Sequence, residues 1–248
     1  MKIKKEYFEP AIWIAGLLAI WELISRSGIV SAFLMPPPSV IITEMLTTKA
    51  VWIHFDTTLY EVLIGFSSAA VIGIALATII ATSKHLERGM YPIIVFFQSV
   101  PKSALCPLFI AWFGFGFLPK AMVAFLITFF PILINTITGL TIIEPEMLDM
   151  MSSLRASKWQ VFRKIRLPKS LPYMFSGFKI SAPLSVIGAI VAEFIAGDAG
   201  LGYLVQVAVY QVNMPLLFSS LAGMAIMGVA LFAIATISEK FLLPWYKR

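Results

Sequence analysis

Six runs of mostly apolar residues divide the chain, each close to the length a helix needs to cross a hydrocarbon core of about 30 Å. They cover roughly 10–25, 62–82, 90–113, 121–142, 173–194 and 216–237. Pro101 and Lys102 interrupt the third, and Pro183 lies inside the fifth. Backbone N–H and C=O groups have no water to bond in lipid, so each run is predicted to be a helix. The pattern therefore predicts an all-α polytopic protein with six transmembrane helices in a single domain over residues 1–248. Met1 to Lys5 ahead of an apolar stretch resembles a signal peptide, but no small-x-small site follows Trp21 to Arg26, so the run is expected to remain as the first helix.

The longest polar segment, 144–172, separates the fourth and fifth runs. Met147, Met150, Met151 and Leu154 recur at i, i+3, i+4 and i+7, one apolar stripe on a short helix. Ser157 is placed to cap a second helix carrying Trp159, Phe162 and Ile165 among Lys158, Arg163, Lys164 and Arg166, with Leu167-Pro168 predicted to end it. Two amphipathic helices meeting at a turn form a knob. It can be read as a basic hairpin on anionic lipid headgroups, or as a docking element whose methionines adapt to a protein partner. On the other side, residues 31–60 hold three prolines at 36–38, Ser39 as a candidate cap, and a stripe of Ile41, Ile42, Met45 and Leu46. That stripe is either a contact for an external protein or an interfacial helix anchored by Trp52.

Composition agrees with a lipid environment: 59% of residues are hydrophobic and 13% charged, too apolar for a soluble domain of this length. The net charge of +6 is distributed by topology and accompanies no nucleic-acid-binding motif. With the N-terminus cytoplasmic, all of the 19 Lys and Arg except Arg26, Lys49, Lys102 and Lys120 fall on the cytoplasmic side, which puts both termini and the 144–172 loop inside the cell. The lone Cys106 excludes an intrachain disulfide and reads as a small buried hydrophobe.

The 144–172 segment resembles the EAA loop of ABC-importer permeases, in which Glu-Ala-Ala is followed by three residues, a glycine and an Ile/Leu-x-Leu-Pro ending. Asp149, Met150 and Met151 stand at the Glu-Ala-Ala places, Leu154 precedes the glycine place, and Ala156 to Arg163 with Ile165-Arg166-Leu167-Pro168 follow the pattern. Arg155 replaces the glycine, so either the turn is built differently or Arg155 adds a charged contact. Further phrases place the resemblance in the nitrate/sulfonate/taurine branch: Leu34 to Ser39, Gln98 to Pro101, Trp112 to Gly116, Phe129 to Asn135, and Ala192 to Tyr203. The resemblance implies a type I importer permease in the bacterial inner membrane, paired with a second permease copy in a homodimer. It also implies two ABC ATPase subunits and an extracytoplasmic substrate-binding protein. ATPase coupling would fall to Asp149, Met150, Met151, Leu154, Arg155, Ala156, Ser157, Trp159, Leu167 and Pro168. Relatives of this branch serve nitrate, sulfonates, taurine, bicarbonate, pyrimidine vitamin precursors and flavins.

No Walker A sequence occurs, so ATP and Mg are expected on the partner ATPase, with no cofactor, metal or catalytic residue on this chain. Polar residues stranded in apolar spans are candidates for a translocation path, namely Gln98, Ser99, Lys102 and Ser103 at the Pro101 break, Asn135, Ser185 and Glu193. Interhelical hydrogen bonding is the alternative reading for Asn135 and the serines, and pairing with Glu193 or Glu22 for Lys102. The Gly197 to Tyr203 stretch is expected outside, as a tight re-entrant turn or a gate. An ion-coupled secondary transporter is the rival function, opposed by the lack of an evident inverted repeat.

Overall fold

The computed structural model describes residues 3–31 and 33–246, and every regular element among them is helical. Eleven α-helices are numbered here in chain order: α1 (Ile3–Arg26), α2 (Pro38–Thr47), α3 (Lys49–Ala81), α4 (Lys84–Ser99), α5 (Cys106–Phe113), α6 (Phe117–Thr141), α7 (Pro145–Ser153), α8 (Lys158–Val161), α9 (Leu167–Ala196), α10 (Leu201–Tyr210) and α11 (Met214–Leu242). Among the described residues four stretches are long and apolar enough to cross a membrane: Lys49–Ala81, Phe117–Thr141, Lys158–Ala196 and Met214–Leu242. A fifth is the pair Lys84–Ser99 and Lys102–Phe113, bent by 77° at the Pro101 break. Helix α1, the first run of the sequence, presents Ile12, Trp13, Leu17 and Leu23 outward, as a lipid-facing helix does.

Helix α6 is the axis of the bundle, packed between α3 and α9. Small residues set the approach. A Cβ on Gly65 of α3 would lie 2.8 Å from the Ala124 Cβ, and one on Gly188 of α9 would lie 2.9 Å from the Ala124 Cα. Ala124 is thus held between two glycines, the close-contact packing by which helices associate where burial of apolar surface gives no preference over lipid.

The region around α2 departs from the sequence reading in three respects. Ser39 is not the cap of α2. Pro37 occupies that place, while Glu22 accepts from the Ser39 N at 3.0 Å and the Ser39 Oγ at 2.7 Å and pairs with Arg26 at 2.6 Å. A carboxylate from α1 therefore supplies the missing acceptor at a helix start that its own sequence leaves uncapped. Only Ile41 and Met45 of the expected stripe are buried, whereas Ile42 and Leu46 are exposed. Trp52 belongs to α3 rather than to an interfacial α2, with its ring 5.8 Å from that of Phe55.

Candidate functional site

Helices α7 and α8 form the projection expected from residues 144–172. Helix α7 ends in a left-handed turn at Arg155, with φ of 50°. The Ala156 N donates to the Met151 carbonyl at 3.0 Å and the Arg155 N to the Ser152 carbonyl at 2.9 Å. This paired 6→1 and 5→2 pattern is a Schellman cap, with Arg155 where glycine is favoured. The glycine-type turn is therefore built in spite of the side chain, at a strain of about 1 kcal/mol, which corrects the reading that the turn is built differently. Ser157 then starts α8 through a capping box, its Oγ accepting from the Gln160 N at 3.3 Å while its own N donates to the Gln160 Oε1 at 2.8 Å.

The predicted stop at Leu167-Pro168 is corrected: Lys158 to Ala196 is one continuous helix. A π-turn over Phe162–Arg166 precedes the proline, and the Leu167 N reaches the Phe162 carbonyl. The extra residue shifts the hydrogen-bond register just where Pro168 lacks a donor, so the helix passes through instead of ending. The projection thus joins the fifth span without a hinge loop.

Arg166, inside that turn, donates from Nη1 to the carbonyls of Ala81 and Leu140, each at 3.2 Å. These carbonyls lie in the last turns of α3 and α6, where orphan acceptors and the negative end of the helix dipole favour a cation. Lys169 adds an ion pair to Glu144 at 2.8 Å. One face of the projection is left open. Met151 is buried, but Met150 is 52%, Leu154 70% and Trp159 64% exposed. The Trp159 ring stacks on Phe162 at 5.6 Å, beside a groove of about 460 Å³ that also touches Thr78, Thr82 and Arg166. Asp149 and Arg155 are exposed on the same projection.

The candidate path residues separate into two groups. Gln98 and Ser99 are exposed, and Lys102 and Ser103 half-buried, at the 77° bend. Lys102 donates to the Gln98 carbonyl and lies 5.0 Å above the Phe130 ring, so neither Glu193 nor Glu22 is its partner. Asn135, Ser185 and Glu193 are instead bonded within the bundle. The Asn135 Nδ2 donates to the Pro131 carbonyl at 2.8 Å, the Ser185 Oγ to the Ala182 carbonyl at 2.7 Å, and Glu193 accepts from Thr58 Oγ1 at 2.6 Å and from the Gly202 N at 2.5 Å.

Sequence reasoning missed a buried ionic cluster around Lys120. Its Nζ lies 2.9 Å from Glu61 Oε1, 2.8 Å from Asp198 Oδ1 and 3.1 Å from the Ala199 carbonyl. Glu61 and Lys120 are almost fully buried, while the Asp198 side chain is 34% exposed. Among the described residues no group of three or more His, Cys, Asp and Glu side chains is arranged to hold a metal ion.

The described residues thus form an apolar helical bundle with a short two-helix projection whose surface is partly apolar. The chain belongs to the family of binding-protein-dependent transport system inner membrane components, whose model matches residues 69–248. It is 34% identical to the formylaminopyrimidine transport permease protein ThiX of Halalkalibacterium halodurans over 100% of both chains. It is 36% identical to the riboflavin transport system permease protein RibX of Chloroflexus aurantiacus, over 92% of this chain and 87% of that one. The putative aliphatic sulfonates permease SsuC of Escherichia coli is 31% identical over 98% and 94% of the two chains. A solved structure of the MetNI methionine ABC transporter in inward-facing conformations shares the fold, with a TM-score of 0.56 and 20% identity over 84% of this chain and 99% of that chain. The chain is an ABC-importer permease, a transport subunit of the inner membrane, and not the ion-coupled carrier of the rival reading.

Proposed function

We propose that this permease works as one of two copies, gripped from the cytoplasm by two ABC ATPase subunits that bind ATP and Mg, and loaded from outside by a substrate-binding protein. Both termini and the α7–α8 projection face the cytoplasm in this reading, which the distribution of Lys and Arg supports. The carrying observation is the projection itself. It offers Met150, Leu154 and Trp159 to a partner, is tied by Arg166 to α3 and α6, and runs unbroken into α9. Asp149, Met151, Arg155, Ala156 and Ser157 shape and flank that surface, and Leu167 and Pro168 carry it into the span. A displacement imposed by the ATPase pair reaches three membrane helices as a rigid-body tilt, which alternates access to a path between the two copies.

The path is assigned to Gln98, Ser99, Lys102 and Ser103, the polar groups left at the surface of the bend. The relatives at 34% and 36% identity are named for a formylaminopyrimidine and riboflavin, which favours a small heterocycle over the anionic members of the solute range. Reconstitution tests the reading. Proteoliposomes holding this chain, its ATPase and its binding protein should accumulate the solute only with ATP and Mg on the ATPase side, and uptake by the chain alone without ATP would refute it.

A further inference from the structure

The groove of about 460 Å³ beside Trp159 lies between the end of α3 and the start of the projection. Its volume falls within the roughly 300–1,000 Å³ usual for small-molecule sites. Lys158 and Arg166 line it together with the stacked Trp159 and Phe162 rings, and no acidic side chain does. Asp149, Met150 and Leu154, which belong to the surface offered to the ATPase, are not part of its wall. Both cations have bonding capacity left over. A guanidinium carries five N–H donors, yet among the described residues Arg166 bonds through Nη1 alone, which leaves Nε and Nη2. Lys158 is exposed and makes no ion pair among the described residues.

The position of the groove selects the anion. Val71, Ala75, Thr78 and Thr82 recur at i, i+4, i+7 and i+11, one face of α3. Thr78 and Thr82 form the floor of the groove, and Val71 and Ala75 continue that face, exposed, along the membrane span. Arg166 reaches the Ala81 carbonyl, so the two cations stand where the span ends, the depth of lipid headgroups. The aromatic pair lies at the same level, as interfacial rings do. We propose that this groove holds an anionic phospholipid of the cytoplasmic leaflet, its phosphate on Lys158 and Arg166 and an acyl chain along Val71 and Ala75. The lipid then fills the joint at which Arg166 ties the projection to α3, where its headgroup supports the contact that transmits the motion.

The inference rests on the importer reading for the cytoplasmic placement of the projection. Native mass spectrometry of the full chain, titrated with phosphatidylglycerol or phosphatidylcholine, tests it. The wild-type chain should bind its first phosphatidylglycerol about tenfold more tightly than phosphatidylcholine, and inorganic phosphate should not displace it. Lys158→Gln removes one charge and should weaken phosphatidylglycerol about fivefold while leaving phosphatidylcholine unchanged. Thr82→Trp, at an exposed position, fills the mouth of the groove and should remove the preference. Equal affinity of the wild-type chain for the two lipids would overturn the proposal, as would a full preference in either variant that unfolds at the wild-type temperature. Displacement by inorganic phosphate would make the groove a simple anion site, and displacement by the ATPase would assign it to that protein; either overturns the lipid. Any of these in a chain that binds its ATPase leaves the importer reading standing, whereas a lipid-selective chain that binds no ATPase would overturn that reading alone.

Discussion

Arg166 donates to the Leu140 carbonyl at 3.2 Å and makes the same bond to Ala81, so one guanidinium closes the last turns of two membrane helices. Arg166→Met keeps the aliphatic stem and removes both bonds. Charged hydrogen bonds contribute about 1.5–3 kcal/mol each, and the expected result is a chain that still inserts and binds its ATPase but transports at least about tenfold less per ATP hydrolysed. Parallel uptake and ATPase assays on the reconstituted complex check this, with Arg166→Lys expected to restore part of the coupling.

The turn at Arg155 predicts a gain from a smaller residue. Arg155→Gly should stabilise the chain by about 0.5–1 kcal/mol, and Arg155→Val should cost about 1–2 kcal/mol, because only the glycine adopts the left-handed conformation freely. Thermal unfolding of the detergent-solubilised chain gives the sign of each.

The Lys120 cluster predicts a pattern that a simple contact would not produce. Lys120→Met strands the buried Glu61 carboxylate, at a cost of about 3–5 kcal/mol, seen as loss of membrane-inserted protein. Adding Glu61→Gln should recover much of the level, since a neutral pair has less charge to compensate. Quantified expression of the single and double variants measures the coupling.

Gly188 is predicted to tolerate no side chain. Its missing Cβ faces the Ala124 backbone at 2.9 Å, so Gly188→Val forces α9 off α6 and should cost about 1–3 kcal/mol or more. Ala124→Gly in the same chain opens space on the other side and should relieve part of that loss in a thermal unfolding assay.

The spans were legible because a membrane helix needs little more than a run of apolar residues, and the break at Pro101 because proline and lysine interrupt such a run visibly. The knob was legible in its methionine spacing and Ser157 cap. Its continuity into α9 was not, since Pro168 signals a stop and a π-turn has no sequence signature. The Lys120 cluster was hidden by the same apolar criterion that found the spans. Predicted runs beginning at 62 and 121 stop one residue short of Glu61 and Lys120, whereas α3 and α6 extend outward to Lys49 and Phe117 and carry both charges into the protein. Helices from distant parts of the chain then bring Asp198 to them, a pairing no local pattern encodes. Glu193 was found as an isolated intramembrane acid, but its seat of Thr58 and Gly202 depends on the fold.

Binding of the ATPase to the purified chain in nanodiscs, with and without Leu154→Ala and Trp159→Ala together, tests the account at its centre. Both side chains are exposed, so the double variant should unfold at the wild-type temperature, yet it should bind the ATPase at least about thirtyfold more weakly, as expected when interface anchors are removed. Equal affinity of the two forms would contradict the claim that this projection is what the motor holds.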